Sequence, residues 1–177
     1  MTPQTIDSQQ QYQGAVFAVR TDKVRWADGR QADYDVVQHP GSVTLVPLDD
    51  SGRIWFVRQY RHPVGQALLE LPAGTLEDED PAACAERECR EEIGMRPGEL
   101  LSLGQVLLAP GYSSEISYLF LARDLQPAPL PADEDEHIEI EKWTIDEVRE
   151  MVAAGDLKDA KSLAALWLAL PVIEDYG

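Results

Sequence analysis

At 177 residues the chain has the length of a single domain with room for a sizeable core. Its apolar and charged fractions are ordinary for a globular protein, but its formal net charge of −17 argues against nucleic-acid or anionic-membrane binding, since both need a basic footprint. No apolar run reaches membrane-spanning length, the N-terminus is polar without a signal core, and two cysteines and three scattered histidines give no zinc spacing; a cytoplasmic location is the default expectation.

Residues 1–11 read as a flexible tail. Residues 15–19 and 24–26 read as short strands, followed by an Asp28-Gly29 hairpin turn and a third strand over residues 34–38. Two core strands follow, residues 43–47 and 54–59, joined through Asp49-Asp50-Ser51-Gly52. A helix is expected after Asp80, a good N-cap, and Pro81, which suits the first helical position. Ala82, Ala85, Cys89 and Ile93 form its buried stripe, and Gly94 ends it in the left-handed conformation. Five positions apart on that helix, Cys84 and Cys89 are poorly placed to bridge.

Further strands are expected over residues 101–108, 118–122 and 138–140, with a Pro/Ala-rich loop over 127–131 and an acidic run over 133–136. Thr144 to Glu147 reads as a capping box opening a helix to about Ala154, stopped by Gly155. A last helix runs from about Ala160 to Leu170, with Leu163, Leu166, Trp167 and Leu170 inward and Pro171 as its end. Strands followed by interleaved helices and strands define a mixed α/β sandwich.

The chemistry concentrates on the first helix. Glu88 and Glu92 stand four residues apart and share one face, where like charges repel by roughly 0.2–0.5 kcal/mol. A hard divalent cation turns that cost into a binding site. Arg87 stands four residues before Glu91 and can pair with it.

Arg87-Glu88-Cys89-Arg90-Glu91-Glu92-Ile93-Gly94-Met95 closely resembles the second half of the Nudix box, with Cys89 in an aliphatic slot. Seven residues separate Arg87 from Glu79 before it. Four residues rather than five separate Glu79 from Gly74, so the loop is one residue short or Ala73 takes the glycine slot; Leu71-Pro72-Ala73-Gly74 favours the shorter loop. The segments 57–61, 69–74, 109–115, 118–122, 132–138 and 159–162 resemble the ADP-ribose pyrophosphatase branch of the Nudix hydrolases.

The resemblance implies an α/β Nudix fold, a mixed β-sheet between helices, over residues 41–177. Residues 1–40 would be a tail and small β-lobe serving a homodimer. It implies Mg²⁺-dependent hydrolysis of ADP-ribose to AMP and ribose 5-phosphate, with Mn²⁺ as a substitute. Glu88, Glu92, the Ala73 carbonyl and Glu136 would hold metal. Glu134 would be the base on the attacking water, with Glu91 and Arg87 completing the catalytic set. Arg61 is the candidate phosphate clamp, because a guanidinium matches phosphate geometry; Arg58, three residues away along an extended run, points to the other face. Glu70 supports the loop or touches substrate. Glu115 resembles a position near the terminal sugar, and Gly111 a turn beside it. Trp143 and Trp167 are expected in the core, and the nucleobase aromatic is open among Tyr12, Phe17, Trp26 and Tyr34. Two alternatives stand: hydrolysis of another nucleoside diphosphate sugar, such as GDP-mannose or ADP-glucose, and a non-catalytic Nudix sensor, which would be expected to lack the metal carboxylates.

Overall fold

The structure, a computed structural model, describes residues 2–131 and 137–175. The chain divides into two compact units, Met1–Gly41 with Leu107–Ile116, and Ser42–Val106 with Ser117–Gly177.

In the first unit three antiparallel strands, β1 (Gln4–Gln13), β2 (Ala18–Arg25) and β3 (Gln31–Gln38), form one sheet in that order. The Asp28-Gly29 turn closes β2 onto β3, with Gly29 at φ +88°, a conformation that glycine tolerates without strain. Two expectations fail here. The tail is a strand, and the two short strands fuse into the single β2. β1 is exposed along its whole length and mostly polar, with only Ile6 and Tyr12 as large apolar residues, so no alternation marks it. Backbone pairing to β2 and a 2.6 Å hydrogen bond from Ser8 Oγ to Asp22 Oδ1 hold it instead.

The second unit is built on a mixed sheet of β4 (Ser42–Pro47), β7 (Ala73–Thr75), β8 (Met95–Leu107) and β9 (Ile116–Pro127), ordered β7-β4-β9-β8, with β4 parallel to β9. Every residue of β4 is buried, which requires both faces of the sheet to be covered. Alternate residues supply the two faces. Val43, Leu45, Phe120 and Ala122 pack with Cys84, Ala85 and Cys89 of α1 (Pro81–Glu92). Val46, Leu119 and Leu121 pack with Val148 of α2 (Ile145–Ala154) and with Ala165, Leu166 and Ala169 of α3 (Ala160–Asp175). A second sheet, ordered β10-β5-β6, combines β5 (Arg53–Arg61), β6 (Gln66–Glu70) and β10 (Ile138–Thr144).

The helix caps follow the sequence signals. The Asp80 carboxylate accepts from Ala82 N and Ala83 N at 3.0 and 3.2 Å, the Thr144–Glu147 capping box is closed, and Gly94 and Gly155 take positive φ. Three details differ. Ala82 is exposed while Cys84 takes its place in the buried stripe. α3 continues through Pro171 to Asp175, because Val172 and Ile173 beyond the proline still pack on the core. Its core face is Ser162, Ala165, Leu166 and Ala169, leaving Trp167 80% exposed; an almost uniformly apolar helix carries little information about its own phase. Trp143 does pack against the core.

Candidate active site

Within the second unit, α1 lies against the loop that leaves β6. Glu88 and Glu92 are buried, at 8% and 5% exposure, although nothing in the helix pattern required it. The reason lies in the loop. Gly74 carries no side chain, and a Cβ built there would overlap the Glu88 carboxylate. One residue earlier, Ala73 N–H donates to Glu92 Oε2 at 3.0 Å. The position with no room for a side chain is therefore Gly74 and not Ala73, so the one-residue-shorter loop still seats its glycine on the carboxylate.

Arg87 gathers the remaining acids. Its Nη1 donates to Glu88 Oε1 at 2.7 Å and to Glu91 Oε2 at 2.8 Å, and its Nη2 to Glu79 Oε1 at 2.7 Å and to the Thr75 carbonyl at 3.3 Å. Burial works against the guanidinium charge, but Glu79 and Glu88 outweigh it and hold the group even more firmly protonated than usual. The expected Arg87–Glu91 pair is present, and Glu79 joins it across the short loop.

A second cluster lies at the other end of the same loop. Glu70, 1% exposed, receives Arg61 Nε and Nη2 at 2.8 Å each, a two-pronged pair, and also the Lys161 ammonium. Burial alone would raise the Glu70 carboxyl; the Arg61 hydrogen bonds and the Lys161 charge reverse that and hold it below the usual carboxylate range. Lys161 also meets Asp159 Oδ1 at 3.0 Å. Arg61 is thus held by Glu70, while Arg58, three residues earlier on the strand, pairs with Glu141 at 2.5 Å. Arg58 lines a cavity of about 740 Å³ with Gln66, Leu68, Trp143 and Lys158, which contains none of the Nudix-box carboxylates.

Glu115 and Gly111 belong to the first unit. Glu115 Oε1 lies 3.9 Å from His39 Nδ1, and Gly111 sits in the turn closed by Tyr112 N–H on the Ala109 carbonyl at 3.0 Å. Glu134 and Glu136 lie outside the described residues. Lys161, Asp159 and Ser162 stand in the sequence only as part of the resembling segment 159–162. Their one local signal was the Asp-x-x-Ser spacing that opens α3, where Asp159 Oδ2 accepts from Ser162 N at 3.0 Å.

Among the described residues no three acidic, histidine or cysteine side chains converge into a ready-made metal cage. The oxygen-only set of Glu88, Glu92 and the adjoining loop suits a hard cation that takes one or two carboxylates and completes its shell with water and substrate phosphates. Both cysteines are free and buried; burial, aided by neighbouring glutamates, pushes each thiol up to about 12, so neither is a nucleophile at neutral pH.

The NUDIX domain family matches residues 38–166. An ADP-ribose pyrophosphatase of Mycobacterium tuberculosis is 36% identical over 167 residues, covering 92% of this chain and 81% of that protein. An ADP-ribose pyrophosphatase of Bacillus subtilis is 32% identical over 165 residues, covering 92% and 89%. A GDP-mannose pyrophosphatase of Yersinia pestis is 31% identical over 163 residues, covering 86% and 81%. A solved structure described as an ADP compounds hydrolase superposes with a TM-score of 0.88 at 22% identity, covering 100% of this chain and 97% of that one. Its likeness establishes the mixed α/β fold.

Proposed function

The chain belongs to the Nudix family and is a hydrolase of that family, and we propose that it hydrolyses the diphosphate bond of ADP-ribose, releasing AMP and ribose 5-phosphate, with Mg²⁺ or Mn²⁺ as its cation. The observation that carries this reading is the buried Glu88–Glu92 pair seated on the Ala73–Gly74 segment of β7, with Arg87 bonded to Glu88 and Arg61 close enough to feel the charge of Glu92. Arg87 bonds three carboxylates, Glu79, Glu88 and Glu91, so that set carries more negative than positive charge. That surplus supports a divalent cation, held by Glu88, Glu92, the Ala73 carbonyl and Glu136.

A bound divalent cation neutralises charge developing on phosphate oxygens and lowers the pKa of a water. The protein's own groups do the rest. Glu134 takes the proton of the attacking water. Arg87 keeps Glu88 and Glu91 in place. Arg61, oriented by Glu70, binds a phosphate. A homodimer built on the β1–β3 sheet and a cytoplasmic location complete the reading.

The sequence relationship to a GDP-mannose pyrophosphatase favours one second reading, the same reaction on another nucleoside diphosphate sugar. Product analysis with ADP-ribose, GDP-mannose, ADP-glucose and NADH, each with Mg²⁺ or chelator, decides between them. Metal-dependent AMP release fastest from ADP-ribose is expected. Faster turnover of GDP-mannose would move the substrate and keep the site. No turnover of any of the four, with tight binding of one, would replace the enzyme reading by that of a sensor.

A further inference from the structure

Resting on the reading of Glu88 and Glu92 as cation ligands, we infer that Ser162, with Asp159 and Lys161, is a positioning device for that pair, acting through the loop that carries Ala73 and Gly74. The Ser162 hydroxyl is fully buried. It donates to Asp159 Oδ2 at 2.5 Å and accepts the Leu71 N–H at 2.7 Å. Lys161 bridges Asp159 to Glu70, and Arg61 closes on Glu70 with both prongs. Pro72 is held next, its carbonyl accepting from Leu45 N at 2.9 Å. Ala73 N–H then meets Glu92, and Gly74 abuts Glu88. Residues 70 to 73 are thereby each bonded, Ala73 and Gly74 also pair with Thr44 and Val43 of β4, and the start of α3 supplies a bond to Glu70 and the bond to Leu71.

A helix cap alone does not explain the serine. Asp159 caps the helix through the Ser162 backbone N–H, which any residue but proline provides. The hydroxyl adds a second bond to Asp159 and, through its oxygen, the link to Leu71. That link is needed because Leu71 is fully buried and lies between β6 and β7, and a buried N–H must find an acceptor. Side chains behind a ligand set govern its affinity in this way without touching the ion.

The test measures Mn²⁺ binding to the substrate-free protein by the electron paramagnetic resonance of the free ion, alongside kcat, KM for ADP-ribose and the metal-free thermal midpoint. Ser162→Ala is expected to raise the Mn²⁺ Kd about 10-fold and to lower kcat with KM little changed. Ser162→Thr, which keeps the hydroxyl, is expected to return Kd to within about threefold of wild type. Lys161→Met, which leaves the serine link intact, is expected to weaken Mn²⁺ about threefold and serves if the alanine variant does not fold. Unchanged Mn²⁺ affinity in Ser162→Ala, with only a lower metal-free midpoint, would reduce Ser162 to a structural residue and overturn the inference alone. Failure of the wild type to bind Mn²⁺ would overturn the reading of the carboxylates, and the inference with it.

Discussion

The two charged clusters at the ends of the loop between β6 and α1 are built on opposite plans. At α1 one cation, Arg87, faces three carboxylates, Glu79, Glu88 and Glu91, with Glu92 close by on the helix. At Glu70 one buried carboxylate faces two cations, Arg61 and Lys161, and Asp159 balances the second. The Glu70 cluster is closed: its charges cancel within the protein, so it can be buried at 1% exposure and serve as a fastener. The Arg87 cluster is left open. Its bonded set holds more carboxylates than guanidinium groups, which fits the proposed role of this helix in holding a cation. The difference teaches where to look for function: balanced buried charge suits a fastener, and an excess of carboxylates suits a cation site.

The sharpest way to break this contrast is to remove the surplus. Glu88→Gln and Glu92→Gln are each expected to lower kcat for ADP-ribose by about 10³-fold, the equivalent of several kcal/mol of transition-state charge stabilisation. Initial rates of AMP release measure it, and losses below about tenfold in both would place the cation elsewhere. In the closed cluster the equivalent change strikes stability. Glu70→Gln leaves Arg61 and Lys161 without their shared anion and is expected to cost about 3 kcal/mol in urea unfolding, as breaking a buried pair does. A cost under about 1 kcal/mol would mean that the pair behaves like an exposed one.

The contrast also explains what the sequence could disclose. Asp80, Pro81, Arg87, Glu91 and Gly94 act on neighbours within one or two turns, so the helix, its caps and its i,i+4 pair were legible. The burial of Glu88 and Glu92 was not, because it depends on Gly74 and Ala73 approaching from another element. Glu70 finds Arg61 nine residues away and Lys161 ninety-one away, and local spacing has no access to such distances. The same limit hid β1, whose polar residues give no alternation, and misled the phase of α3, where Trp167 is as apolar as the alanines that actually face the core.

Acid sharpens the closed side of the comparison. The Glu70 carboxyl titrates below its usual range in the folded protein and near 4.5 when unfolded. A depressed folded value contributes stability that is complete above the unfolded value and is lost as pH falls through the folded one. The stability gap between wild type and Glu70→Gln is therefore expected to be constant from about pH 7 to 5 and to narrow below about pH 5. Asp22 and Asp49, also depressed, titrate alike in both proteins and cancel in the difference. A gap that widened in acid would reverse the sign and refute the assignment.

The smallest effect is expected at Glu91, which separates charge pairing from chemistry on the open side. Its bond to Arg87 is a partly exposed i,i+4 pair at 2.8 Å, worth about 0.3–0.5 kcal/mol. Neutralising it also relieves repulsion from Glu88, which shares the same Nη1. Glu91→Gln is therefore expected to change unfolding free energy by less than about 0.5 kcal/mol in the metal-free protein. If Glu91 serves only to steady Arg87, kcat falls about tenfold and far less than in Glu88→Gln, because Glu79 and Glu88 still grip the guanidinium. A loss matching that of Glu88→Gln at unchanged stability would instead make Glu91 a ligand or base. The open cluster would then contribute three carboxylates to the reaction rather than two.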